Sequence, residues 1–109
     1  MIRFGFIFKI KPELKNEYKK AHDEIWSELV IAIKECGFKN NSIFFRNDGT
    51  LFNYIEVDEK VDFDLAWEKL TGMDVNKRWQ KNMEKFLYKN KESNTGPNIE
   101  ILEEVFHLD

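Results

Sequence analysis

The sequence predicts an α+β domain whose helices lie on a four-stranded sheet, in the chain order β-α-β-β-α-β. Three observations predict it. Residues 2–10 alternate with a period of two, which puts Ile2, Phe4, Phe6, Phe8 and Ile10 on one side. From Leu14 to Cys36 the period becomes helical, through Leu14, Tyr18, Ala21, Ile25, Leu29, Ala32 and Cys36. Asp48-Gly49 then stands between two apolar runs, a strong hairpin signal. A length of 109 residues suits one domain spanning 1–109.

The elements follow in order. The first strand takes residues 2–10 and gives way to a helix that Pro12 and Glu13 open. That helix is read as continuous to Cys36, with Gly37 as its stop. Residues 42–46 form a short strand, Asn47 to Thr50 the turn, and Leu51 to Val57 the returning strand. A short amphipathic helix spans Val61 to Leu70 and is broken by Gly72. Asp74 is placed to cap a further helix running through Phe86. Residues 89–98 read as a loop and residues 99–108 as the last strand. Both phases of that strand are apolar: Ile99, Ile101 and Val105 on one, Leu102, Phe106 and Leu108 on the other. One sheet face would then stay wet in a single chain. A symmetric homodimer with two sheets face to face would bury it and enclose a cavity. A twisted monomer with a ligand groove is the alternative.

Composition narrows the function classes. Seventeen basic against twenty acidic residues leave a net charge of −3, without the basic excess that attracts nucleic acid. The longest apolar runs are about five residues, far from the roughly 20 that cross a bilayer, so no membrane partner is expected. The N-terminus reads as structure rather than a signal peptide. Cys36 is alone, which excludes an internal disulfide and fits a reducing, cytoplasmic setting. One Cys and two His make no zinc pattern, and no phosphate-binding glycine motif is present. No cofactor is expected.

The residues able to carry chemistry are few. Tyr18, His22 and Trp26 recur at i, i+4 and i+8, each step turning about 40° round the first helix. A phenol, an imidazole and an indole in one stripe suit a small polyhydroxylated ring: aromatic faces stack on C–H surfaces, and the polar groups meet hydroxyls. An imidazole titrating near neutrality can both give and take a proton. The same stripe also fits the edge of a core. Trp79, at helical spacing with Val75, Met83 and Phe86, is either core or a stacking wall. His107, Arg3, Lys9 and Arg46 read mainly as surface groups, and Cys36 as a small buried hydrophobe. Asp23-Glu24 and Glu103-Glu104 are adjacent pairs that diverge, so a two-carboxylate glycosidase has no specific support.

Met1-Ile2-Arg3, Tyr18 with His22, and Ile25-Trp26 followed by Glu28-Leu29 resemble the L-rhamnose mutarotase family. So do Val57, Met73-Asp74-Val75 with Arg78-Trp79, and the ending Glu103-Glu104-Val105-Phe106 with Leu108. The resemblance runs almost from end to end. It implies a ferredoxin-like fold, a dimeric α/β barrel, and interconversion of the α and β anomers of a 6-deoxyhexose. It further implies His22 as proton donor and Tyr18 and Trp79 as sugar contacts. The chain departs from the pattern at Asn41, where the family has Tyr, and at Gln80, where it has a second Trp. Both are sugar-contacting positions, so two amides replace a phenol and an indole. L-fucose is therefore the alternative substrate.

Mutarotation asks for little: a proton leaves the anomeric hydroxyl, another reaches the ring oxygen, and the C1–C2 bond rotates between. The residues leave open whether Tyr18, a water or a partner-chain residue receives the anomeric proton. A non-catalytic sugar-binding module and a cofactor-free monooxygenase or haem-degrading barrel are the other classes, the latter by fold analogy alone.

Overall fold

The computed structural model describes residues 1–88 and 99–109. β1 (Ile2–Lys9), β2 (Phe38–Phe45), β3 (Thr50–Val57) and β4 (Glu100–Leu102) form one antiparallel sheet in the order β2-β3-β1-β4. This is the ferredoxin-like arrangement. Helices α1 (Lys15–Asp23), α2 (Ser27–Glu35), α3 (Phe63–Gly72) and α4 (Asp74–Met83) supply the cover of one sheet face, with short 3-10 turns at Pro12–Leu14 and Glu84–Phe86.

Alternation decides which side each strand residue serves. Phe4 pairs with Ile55, Phe6 with Asn53 and Phe8 with Leu51, and this row set faces the helices. It meets Leu29, Ala32, Ala66, Leu70, Val75, Trp79, Met83 and Phe86 in a single core. The opposite face carries Ile7, Phe44, Phe52 and Leu102, with Phe44 61% and Phe52 39% exposed. Gly5 belongs to this face: a Cβ there would sit 3.3 Å from the Phe52 ring, so glycine lets that ring lie across the strand.

Four expectations change. The single helix from Leu14 to Cys36 is two helices after a 3-10 turn, interrupted at 24–26, where Trp26 is extended at φ −63°, ψ 131°. The segment holds no Gly or Pro, and Ile25 and Leu29 keep the apolar beat across the break, so no breaker was visible. The second strand starts at Phe38 rather than 42, because a bulge between Lys39 and Ser42 lets polar residues join the ladder. Asp74 is the first helical residue and its carboxylate binds Arg78 Nε at 2.9 Å; Met73 occupies the cap position. The last strand is three residues long rather than ten, and Val105, Phe106 and Leu108 are exposed beyond it. The loop expected at 89–98 lies outside the described residues.

The hairpin forms as expected. Gly49 has φ +93°, and a Cβ on it would run into the Ile10 carbonyl oxygen. Asp48 accepts from the Thr50 amide at 2.9 Å and from Arg46 Nε at 3.1 Å.

Candidate active site

A groove of 560 Å³ opens between α1, α2 and β2. Tyr18 and His22 come from α1, Val30 and Ile33 from α2, and Asn40, Asn41 and Ile43 from β2; Ile10, Phe38 and Leu51 also line it. Tyr18 and His22 share the groove because they lie one turn apart on α1. Their rings meet at 4.3 Å between centroids.

His22 is half-buried, and its Nδ1 lies 3.0 Å from the Tyr18 carbonyl oxygen. A carbonyl can only accept, so Nδ1 carries the hydrogen. In the neutral ring this leaves the Nε2 lone pair unprotonated. Burial moves the imidazole below its ordinary pKa, against the opposing pulls of that carbonyl and of Asp23. Neutral pH therefore finds His22 as a base. Burial has the opposite result on Tyr18, whose hydroxyl is pushed far up and stays protonated. Tyr18 is a donor here, not a base.

Behind His22 stands a chain of edge-to-face rings. Trp79 meets His22 at 5.4 Å and Trp26 at 5.2 Å, while Phe86 meets Tyr18 at 5.3 Å. The extended backbone at Trp26, where the long helix breaks, allows that contact. Arg78 lies 5.7 Å from the Trp26 ring and bonds Asp74 and Glu28 at 2.9 and 3.1 Å, tying α4 to the start of α2. These residues fix the imidazole by packing.

The six residues expected at the site thus divide. The structure brings His22, Tyr18 and Asn41 to the groove. Trp79 is buried in contact with His22, and Trp26 in contact with Trp79, but neither is part of the groove lining. Gln80 is half-buried and also outside that lining. The other groups weighed from sequence lie elsewhere: Arg3 pairs with Glu104 at 3.0 Å, Arg46 with Asp48 at 2.6 Å, and His107 with Asp109 at 2.7 Å. Cys36 is buried, with Sγ 3.8 Å from Met73 Sδ. Among the described residues no group of three or more His, Cys, Asp or Glu could hold a metal ion. No helix among them is long and apolar enough to cross a membrane.

Sequence reading missed Lys15, Lys19, Lys34 and Lys39, which line the groove. It also missed Asn53, buried on β3 and hydrogen-bonded to Asn41. One signal was available for Asn53: a lone amide at an inward position in the run Leu51, Asn53, Ile55, Val57.

Comparison with known proteins gives the arrangement a family. A family profile described as L-rhamnose mutarotase matches residues 3–108. The L-rhamnose mutarotase of Oceanobacillus iheyensis is 37% identical over the full length of both chains. That of Listeria monocytogenes is 38% identical over 99% of each. In three dimensions, the crystal structure of an L-rhamnose mutarotase from Formosa agariphila superposes with a TM-score of 0.83 at 28% identity, covering all of both chains. A dimeric ferredoxin-like protein from an uncultured marine organism shares the fold alone, with a TM-score of 0.63 at 14% identity over 98% and 96% of the two chains. The chain belongs to the L-rhamnose mutarotase family.

Proposed function

We propose that the protein interconverts the α and β anomers of L-rhamnose, with His22 as the group that moves the proton. The observation that carries this reading is the His22 hydrogen bond to the Tyr18 carbonyl, which leaves Nε2 free as a base beside a groove large enough for a monosaccharide. Nε2 takes the proton of the anomeric hydroxyl. The C1–O5 bond then breaks, its electron pair goes to O5, and the aldehyde forms at C1. The imidazolium, disfavoured where it is half-buried, returns the proton to O5. Rotation about C1–C2 and the reverse sequence close the ring on the other face. One imidazole thus serves as base and then as acid, and the reaction needs no further proton carrier. Tyr18, held neutral, orients the sugar through its hydroxyl, and Asn41 contacts it from the opposite wall. Trp79 packs against the imidazole and Trp26 backs Trp79, both from outside the lining, and Gln80 has no part in the step.

The substrate is a single sugar, and the working form is a homodimer. Ile7, Phe44, Phe52 and Leu102 make an apolar sheet face, and Val105, Phe106 and Leu108 add an apolar tail, which a second copy would cover. Phe52→Lys should convert the dimer to a monomer in sedimentation equilibrium; an unchanged mass places the interface elsewhere.

The activity is tested by saturation-transfer NMR on L-rhamnose, L-fucose and other aldoses. Exchange is expected to be fastest on L-rhamnose. Faster exchange on L-fucose overturns the substrate, and unaccelerated exchange on every sugar overturns the activity.

A further inference from the structure

β3 turns Leu51, Asn53, Ile55 and Val57 toward the helices, and Asn53 is the polar member of that row. It is 6% exposed, and its ladder partners on the same row are Phe6 and Ile43. An amide in such surroundings is costly unless its hydrogens are bonded. The Asn53 Nδ2 group donates to the Ser42 carbonyl at 3.1 Å, to the Tyr54 carbonyl at 3.2 Å, and to Asn41 Oδ1.

These partners fix two orientations in turn. Two backbone carbonyls surround one end of the Asn53 amide, so that end must be the NH2. Whatever Asn41 turns toward that NH2 must be an acceptor, hence its oxygen. The bulge that makes this reach possible has Asn40 in the left-handed region at φ 51°, with Asn40 Nδ2 donating to Glu56 Oε1 at 2.9 Å. Asn40 and Asn41 together stand opposite Ile55 where the ladder skips.

We propose that Asn53 is a positioning residue for sugar recognition, holding the Asn41 oxygen inward so that the Asn41 NH2 is the end offered to the groove as a hydrogen-bond donor. The two walls are then complementary in sign: His22 Nε2 accepts a hydroxyl proton, and Asn41 donates to an oxygen lone pair. A cyclic hemiacetal carries both, an O–H at C1 and ring or neighbouring oxygens that accept. The inference rests on the reading of the groove as the sugar site.

Two resonances in isotope-labelled protein separate that reading from the proposal. L-Rhamnose titration should move the His22 ring signals and the Asn41 side-chain amide together. In Asn53→Leu, His22 should still respond while the Asn41 response falls to less than a third. A His22 response without an Asn41 response overturns the proposal and leaves the site intact. An equal Asn41 response in Asn53→Leu overturns the role of Asn53. Silence at both residues overturns the site and the proposal together. If Asn53→Leu does not fold, the exposed Asn41→Asp decides. It keeps an oxygen toward Asn53 and loses the donor, so KM should rise about three- to tenfold, the worth of one hydrogen bond, and more than kcat falls. An unchanged KM overturns the proposal.

Discussion

The two walls of the groove are built by different physics. On the helix wall, His22 is held by rings: Tyr18 at 4.3 Å and Trp79 at 5.4 Å, with Trp26 behind Trp79. On the strand wall, Asn41 is held by a hydrogen bond from a buried amide at a bulge. Ring packing lowers the imidazole pKa as it positions the ring, because the same burial that fixes it also desolvates it. A hydrogen-bonded bulge leaves the side chain exposed and fixes only which end of the amide faces inward. On the proposed function, proton transfer falls to the first wall, and the second adds an amide contact to the sugar.

The sharpest way to break this division is His22→Ala. Exchange of L-rhamnose anomers should fall about 100- to 10,000-fold in saturation-transfer NMR, while circular dichroism stays native. Undiminished exchange in the folded variant would remove the helix wall from the chemistry. Next is Trp79→Ala, which deletes the ring behind His22. Thermal or denaturant unfolding should show a loss of about 3–5 kcal/mol, the cost of emptying a buried aromatic site. A loss below about 1 kcal/mol would mean that the wall does not depend on packing.

A smaller effect is expected on the strand wall. Asn40 occupies the left-handed region, so Asn40→Ala should cost about 1–2 kcal/mol, whereas Asn40→Gly should recover most of it. Equal stabilities of the two variants would show that the bulge is unstrained.

The mildest test is pH. His22 has its pKa lowered from 6.5, so the neutral base is fully present above that value. The exchange rate should be flat near neutrality and drop as pH falls through the lowered folded-state pKa. Acid also destabilises the fold across the window between that pKa and 6.5, where the unfolded chain binds the proton more readily. A rate that instead rises as pH falls would show His22 acting mainly as the imidazolium.

Much of both walls was legible beforehand, for reasons that differ. The period of two in residues 2–10 and the Asp-Gly turn are local signals, and β1 and the β2–β3 hairpin followed from them. Tyr18 and His22 could be placed on one stripe because a helix fixes i, i+4 neighbours. The break at 24–26 was not legible, because Ile25 keeps the apolar beat and no Gly or Pro marks the stop. Nor was the long start of β2: Lys39, Asn40, Asn41 and Ser42 have low strand propensity and join only through a bulge. Asp74 looked like a cap by residue type, yet Arg78 one turn later takes its carboxylate.

What the sequence determined by itself is the β-α-β-β-α-β order, the face most apolar residues serve, and an imidazole one helical turn from a tyrosine, since all of these are set by periods along the chain. The tertiary structure decided which rings stand behind that imidazole, which nitrogen of it stays free, and which end of Asn41 faces inward. The rings and the Asn41 orientation depend on contacts between residues far apart in sequence, such as Trp79 with His22 and Asn53 with Asn41, and the choice of nitrogen on the rotamer that brings Nδ1 to the Tyr18 carbonyl one turn back; no apolar period encodes a partner's distance or the direction of a hydrogen bond.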